Sequence, residues 1–363
     1  MTDRPNSRIT NDASPITPPK RTDNLSKKRS GINYRMTRIL VIQTAFIGDV
    51  ILATALLEQI RQQRPEAQID MLVRKGNESL LANHPFLHSI LIWDKKGGKY
   101  KSLWKLLGQI RQSEYDVVIN LQRFGATGLL TALSGARQTI GYDKNPFSRF
   151  FKYRIEHRIE PGIHEVDRNA ALLSPLGIGT CKAPRPRLYP SPADQQAVAS
   201  YQTKPYLCIA PTSVWFTKQY PAEKWVEFIR QNPANTTIYL LGAPTDTDAC
   251  ANIRQQVLAT HPNVQNLAGK LSFLQSAALM QGAIMNYVND SAPMHLCSAV
   301  NAPTTAIFCS TVPAFGFGPL ADNAQVVQTP EPLDCRPCGL HGYRACPLGH
   351  FRCATTIEIA SNR

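Results

Sequence analysis

From Met36 onward, short apolar runs alternate with stretches whose apolar positions recur at helical spacing. The runs at 38–42, 68–73, 89–93, 116–120 and 138–141 read as strands, several of them β-branched and without alternation, as buried parallel strands are. Helical patterns lie between them near 50–63, 77–83, 101–113 and 124–133. The pattern fades after Gly141, and residues 145–160, rich in Arg, Lys and Phe, read as irregular surface structure. Residues 164–176 look helical again. A Pro-rich stretch, KAPRPRLYPSPAD at 182–194, is the best break in the chain.

A second alternation follows, with strands at 206–209, 236–241, 284–288 and 304–308 and helices at 221–231, 246–258, 273–281 and 293–299. Strands that alternate with helices argue for α/β architecture and parallel sheets. The chain therefore divides into an N-terminal Rossmann-like domain at 36–181, a linker at 182–203, a C-terminal Rossmann-like domain at 204–330 and a Cys-rich segment at 331–363. A cleft between two such domains is a usual place for a ligand.

Composition sharpens this picture in two ways. No apolar run approaches the roughly 20 residues that span a bilayer, and the N-terminus has no apolar core of a secretory signal. The expectation is a cytoplasmic protein. Net charge is +14 over 363 residues. Five of those charges belong to residues 1–35, which hold 8 basic and 3 acidic residues and no periodicity, and which are expected to be a disordered basic tail. Met36, directly before the first strand, is a second candidate start. The other nine charges predict an anionic partner, whether nucleotide, phosphorylated glycolipid, membrane surface or nucleic acid.

Three stretches carry candidate chemistry. In VIQTAFIGDVILAT, Asp49 is the one charge among apolar neighbours, at a strand-to-helix turn. It can cap the helix, or it can serve as a general base where ligands bind beyond the carboxyl ends of parallel strands. In IAPTSVWFTKQYPAEKW, a loop bearing Thr212, Ser213 and Lys218 joins a strand to a helix opened by Pro221; these are the parts of a phosphate cradle, or of a solvated loop. In NYVNDSAPMHLCSAV, Asp290 and Ser291 stand where they can cap the next helix, with His295 one turn in. Two such loops at strand ends of one domain favour a nucleotide diphosphate.

The tail reads CRPCGLHGYRACPLGHFRC, with Cys335, Cys338, Cys346 and Cys353 spaced C-x2-C-x7-C-x6-C. Clustered cysteines in a cytoplasmic chain suit a structural zinc ion, and reduced or incidental thiols are the alternative. Cys181, Cys208, Cys250, Cys297 and Cys309 read as scattered core residues.

Taken in order, these motifs resemble glycosyltransferase family nine, the ADP-heptose:lipopolysaccharide heptosyltransferases. The resemblance rests on Phe46-Ile47-Gly48-Asp49-Val50-Ile51, on Pro211 to Pro221 with Trp215, Lys218 and Tyr220, and on Asp290 to Leu296 followed by Pro303 to Phe308. It covers about residues 36–355. It implies the GT-B fold, two facing Rossmann-like domains with the active site in the interdomain cleft. It also implies inverting transfer of a sugar from a nucleotide diphosphate, ADP-heptose in most members, to the inner core of lipopolysaccharide or a lipid A precursor. No catalytic cofactor is expected.

Carried over by position, Asp49 is the catalytic base, Lys218 offsets charge on the leaving diphosphate, and Thr212 and Ser213 donate to phosphates. Asp290, Ser291, Met294 and His295 line the donor site, and Asp246 contacts the ribose. Lys75, Arg123, Lys144 and Arg149 are candidate contacts for an anionic acceptor. The enzyme is expected to sit on the inner face of the inner membrane, as a peripheral protein, and not to bind nucleic acid. Ala292 in place of the family's glycine and Cys309 in place of the following one depart from the pattern, and bear on donor identity more than on fold. Another GT-B enzyme such as a nucleotide-sugar 2-epimerase, and a catalytically silent nucleotide-sugar-binding protein, remain alternatives.

Overall fold

The computed structural model describes residues 37–95, 98–179 and 182–360; the expected basic tail and Cys181 lie outside these. The first sheet is built from β1 (Arg38–Ile42), β2 (Gln68–Arg74), β3 (Leu87–Trp93), β4 (Val117–Asn120), β5 (Gln138–Tyr142) and β6 (Tyr153–Ile155). Its order is β3-β2-β1-β4-β5-β6, with every neighbouring pair parallel. The helices α1 (Ile47–Gln63), α2 (Lys99–Gln112), α3 (Gly125–Ala132) and α4 (Glu165–Ala171) accompany it.

After α5 (Pro192–Val198) the plan repeats with β7 (Tyr206–Ala210), α6 (Ala222–Arg230), β8 (Thr237–Leu240), α7 (Thr247–Val257), β9 (Val264–Asn266), α8 (Phe273–Gln281), β10 (Met285–Asn289), α9 (Ala292–Val300), β11 (Thr304–Phe308) and β12 (Ala324–Gln328). The second sheet runs β12-β11-β10-β7-β8-β9, all parallel, which is the order of the first sheet read from its other edge. A short helix, α10 (Arg352–Thr355), closes the chain. This is the expected α/β architecture of two Rossmann-like halves. Strand order reverses between β1 and β4 in one half and between β7 and β10 in the other. Ligands bind in the crevice that such reversals open.

Several elements differ from expectation. The segment 145–160 contains β6, a three-residue edge strand too short to leave a pattern. Strands β9 and β12 were also unread, since each is short or largely exposed and carries polar residues. The helix expected at 77–83 is a single 3-10 turn at Glu78–Leu81, and the one at 164–176 breaks into α4 and a 3-10 turn at Ser174–Leu176, where Pro175 removes a donor. The stretch 182–191 has no regular structure, but it is packed. Arg187 N–H donates to Thr54 Oγ1 at 2.8 Å, and the Tyr189 hydroxyl donates to Glu58 at 2.6 Å, so it runs along α1. Among the described residues no helix is long and apolar enough to cross a membrane.

Helix α1 is buried without interruption from Val50 to Ile60, because it lies between its own sheet and the second half. One apolar core joins Val50, Leu56 and Leu57 of α1 to Leu296, Val300 and Ala277 of the second half. The tightest approach is at Gly48, where a Cβ would lie 2.8 Å from the Cδ2 atom of His295 in α9. His295 is itself buried. A second link is a set of hydrogen bonds around an ion pair buried within α4. Arg168 pairs with Glu165 at 2.7 Å and donates to the carbonyls of Ile163 at 2.8 Å and Phe315 at 3.0 Å, while Glu165 N–H donates to Gly316 O at 2.7 Å. His164 caps α4 through Nδ1 and places Nε2 3.0 Å from Gly318 O, which fixes the proton on Nε2 because a carbonyl only accepts.

Two outcomes follow for stability. Arg168→Ala strands the buried Glu165 carboxylate and is expected to cost about 3–5 kcal/mol in denaturant unfolding; a loss under about 1 kcal/mol would place the pair among surface ion pairs. Gly48→Ala is expected to cost about 1–3 kcal/mol despite the better helix propensity of alanine, because the His295 ring is packed and cannot retreat. In a His295→Ala background the same change is expected to become neutral or stabilising, so a double-mutant cycle measures the contact.

Candidate active site

The loops after β1, β7 and β10 meet around a cavity of about 370 Å³. Asp49 stands on one wall. It is the third residue of α1, and its carboxylate accepts the Phe46 N–H at 3.2 Å, so it closes the helix start and is half-buried in the cavity lining at once. Burial raises its pKa above the ordinary aspartate value; the Phe46 and Asp49 N–H groups and the charges of His341 and Arg74 pull the other way. Arg74, the last residue of β2, stacks its guanidinium 4.9 Å from the centre of the Phe46 ring.

The opposite wall belongs to the second half. Lys218 Nζ lies 2.7 Å from Asp290 Oδ2, with the two side chains 14% and 7% exposed, so this pair is largely dehydrated. Thr311 donates its hydroxyl to the same carboxylate oxygen at 2.6 Å. Asn289, at the end of β10, accepts Tyr220 N–H at 2.9 Å and reaches toward the carbonyls of Ala210 and Thr212. It thereby ties the two loops that carry Lys218 and Asp290. Ser291 is the N-cap of α9, but its side chain makes no cap bond. In the first turn of α9 Pro293 has no N–H and Met294 N–H donates to Ser291 O at 3.1 Å, which leaves the N–H of Ala292, a residue of the cavity lining, for an anion. Burial lowers the pKa of His295 to about 3, so the ring is neutral at working pH.

The C-terminal segment forms the floor beside Lys218. Arg336 donates to the carbonyls of Phe308, Cys309 and Thr311 at the end of β11, and Cys338 N–H donates to Ser310 O at 2.8 Å. The buried Thr217 accepts Tyr343 N–H at 2.7 Å through its hydroxyl and donates its own N–H to Tyr343 O at 3.1 Å. Between these fastenings Leu340 and His341 enter the cavity lining.

Of the predicted residues, Asp49, Lys218, Ser213, Asp290, Ser291 and His295 share this one cavity. Thr212 and Met294 are not in its lining; Met294 is fully buried in the core. Asp246 is also outside, and its carboxylate accepts Ala243 N–H at 2.7 Å. Asp290 does not cap α9 as expected, since Lys218 and Thr311 occupy it. Lys75 lies in an adjoining recess with Arg74, Trp93 and Lys95, and is paired to Asp94 at 2.8 Å. Arg123, Lys144 and Arg149 are exposed and line neither space; Arg149 lies over Phe150. Arg74, Lys95 and His341 were not read as site residues, and Trp215 was read only as part of a motif. Only the place of Arg74 at the end of a predicted strand could have pointed to one of them.

The tail cysteines, expected either to hold zinc or to stay as thiols, lie near one another, and Cys335, Cys338 and Cys346 all act electrostatically on Cys353. Among the described residues no group of three or more His, Cys, Asp or Glu side chains is placed to hold a metal ion. Cys338 Sγ lies 3.4 Å from the Cys335 carbonyl, and Cys335 Sγ lies 3.8 Å from His350 Nε2. Cys353 is sunk in the core beside Ala354, where burial and the neighbouring thiols raise its pKa to about 11. Cys208, Cys250, Cys297 and Cys309 are buried, as core residues.

The geometry has counterparts among known proteins. Lipopolysaccharide heptosyltransferase 3 of Escherichia coli is 28% identical over 279 residues, which is 73% of this chain and 82% of that one. The fold matches a glycosyl transferase family 9 protein from Veillonella parvula with a TM-score of 0.72 at 22% identity, over 80% of this chain and 85% of the other. It also matches Escherichia coli ADP-heptose lps heptosyltransferase II with a TM-score of 0.71 at 20% identity, over 83% of this chain and 96% of that one. The sequence pattern of glycosyltransferase family 9 (heptosyltransferase) fits residues 103–341. With that span covering more than half of its length, and with two parallel sheets facing one cavity, this chain belongs to glycosyltransferase family 9 and is a glycosyltransferase of the GT-B fold.

Proposed function

We propose that the protein transfers a heptose from ADP-heptose to the inner core of lipopolysaccharide with inversion at the anomeric carbon. The observation that carries this reading is that Asp49 and Lys218, from different halves, line one cavity at the two strand-order reversals. The donor diphosphate would lie against Lys218, Ser213 and the start of α9, with Ser291 beside it. The acceptor would enter from the side of Asp49 and Arg74. Its hydroxyl oxygen attacks the anomeric carbon as Asp49 takes the proton. The bond to the diphosphate breaks, and its electron pair leaves with ADP.

The relatives' names support donor and acceptor class, since they include an ADP-heptose enzyme and a lipopolysaccharide heptosyltransferase. Thr212, Asp246 and Met294 would act on the donor only through neighbours of the lining. Lys75, beside the recess that adjoins Arg74, is better placed for an anionic acceptor than Arg123, Lys144 or Arg149. The excess positive charge suits attachment to an anionic membrane surface, where such an acceptor is anchored. Residues 36–363 should then bind anionic liposomes at low salt and release them at high salt.

Transfer from ADP-heptose to heptose-deficient lipopolysaccharide tests the reading directly. Asp49→Asn is expected to lower kcat by at least about 100-fold with ADP-heptose affinity kept. An equally active variant would reduce Asp49 to a helix cap, and donor binding without wild-type transfer would make the protein a silent binder. Because a base acts when deprotonated and burial raises the Asp49 pKa, the acid limb of kcat/KM should lie above the ordinary aspartate range. Lys218→Ala is expected to lose turnover together with about 3 kcal/mol of stability, since Asp290 is left unpaired; thermal unfolding beside the assay separates the two effects.

A further inference from the structure

The charges of the cavity do not balance for a diphosphate. Lys218 is held by Asp290, so the pair presents little net charge. His295 is neutral, and Arg74 belongs to the opposite wall over Phe46. Breaking the donor's sugar–phosphate bond adds one negative charge to ADP, and a group that meets that charge must stand on the wall of the second half. Among the described residues lining that wall, the remaining cation-forming side chain is His341. It is exposed, and its ring makes no hydrogen bond to a described residue, so its nitrogens are free to meet a ligand.

Its position is built. Gly342, with φ of 75°, adopts a conformation that favours glycine, and a Cβ there would lie 2.8 Å from Thr217 Oγ1 and 3.0 Å from Lys218 Cγ. The backbone after His341 therefore presses on the stem of Lys218. The Tyr343–Thr217 and Cys338–Ser310 bonds hold the segment on either side. Motion of this loop alone could not carry His341 far from Lys218 without breaking them.

Building on the donor reading above, we infer that His341 is a catalytic residue, which donates a hydrogen bond in its protonated form to the diphosphate and stabilises ADP as it leaves. No proton is transferred by it. The acceptor oxygen bonds to the anomeric carbon, the proton goes to Asp49, and the departing phosphate oxygen keeps the electron pair beside the imidazolium. The charged and titratable groups that face His341 are Asp49 and Arg74 from the first half, and Lys218, Asp290 and the neutral His295 from the second. A bound diphosphate favours the charged imidazole, so donor affinity should be higher at the lower of two pH values.

The test measures ADP-heptose binding by calorimetry at about pH 6 and about pH 8. This donor's diphosphate is esterified at both ends and does not titrate in that interval. An Asp49→Asn parent removes the carboxylate whose pKa burial raises and suppresses turnover. His341→Ala in this parent is expected to bind about tenfold more weakly at the lower pH and to lose the pH dependence. His341→Lys is expected to restore tight binding at both values, and His341→Ala in the otherwise native enzyme should lower kcat. If His341→Ala binds like its parent at both pH values, the inference is overturned, provided its melting temperature is unchanged. Failure of the parent itself to bind ADP-heptose overturns the donor reading, and this inference with it.

Discussion

The approach of α1 to α9 is the constraint on which the rest depends. Each helix begins at a point where strand order reverses, and each presents its first turn to the same space. They can come together because position 48 has no side chain, which leaves room for the His295 ring. A neutral, dehydrated imidazole is a good filler at that contact, since burial opposes a charge there more than the nearby Asp290 favours it. The glycine beside Asp49 thus serves packing, and the packing sets how far the carboxylate stands from the opposite wall.

Asp49 combines the two roles that its sequence position left open. The hydrogen bond from Phe46 holds the carboxylate in one orientation at the helix start and favours its charged form, while burial opposes that charge. A residue placed between these forces is both fixed and moderately basic, the combination a proton acceptor requires. On the opposite wall Asp290 has a comparable double role. It fixes Lys218 through a short pair, and in doing so reduces the charge that Lys218 offers to a ligand.

Much of this was legible in the chain. The interior strands β1, β7 and β11 are apolar or β-branched runs, and the ends of β1, β7 and β10 pointed to Asp49, Lys218 and Asp290 at strand-to-helix turns. What escaped was of two sorts. Strands β6, β9 and β12 are edge or near-edge strands whose order comes from pairing with a neighbour, and short polar-containing runs carry no period of their own. Arg74 and His341 come to the cavity from distant parts of the chain, and His341 depends on a loop folded back by contacts at Thr217 and Ser310. Local pattern holds no trace of that path. The cysteine spacing suggested a metal, and the structure buries Cys353 and sets Cys338 against a backbone carbonyl.

The link at Arg168 bears on how substrates come and go. Its guanidinium holds the carbonyls of Ile163, just before α4, and Phe315, after β11, and Glu165 and His164 add two more ties to Gly316 and Gly318. A wide hinge-like opening would have to surrender these contacts together. If that cost reaches about 3 kcal/mol, fewer than about one molecule in a hundred is open at any moment. Exchange of donor and product then proceeds through the mouth of the closed molecule, and the traffic is governed by side chains at that mouth, with Val214 and Leu340 exposed along its edge.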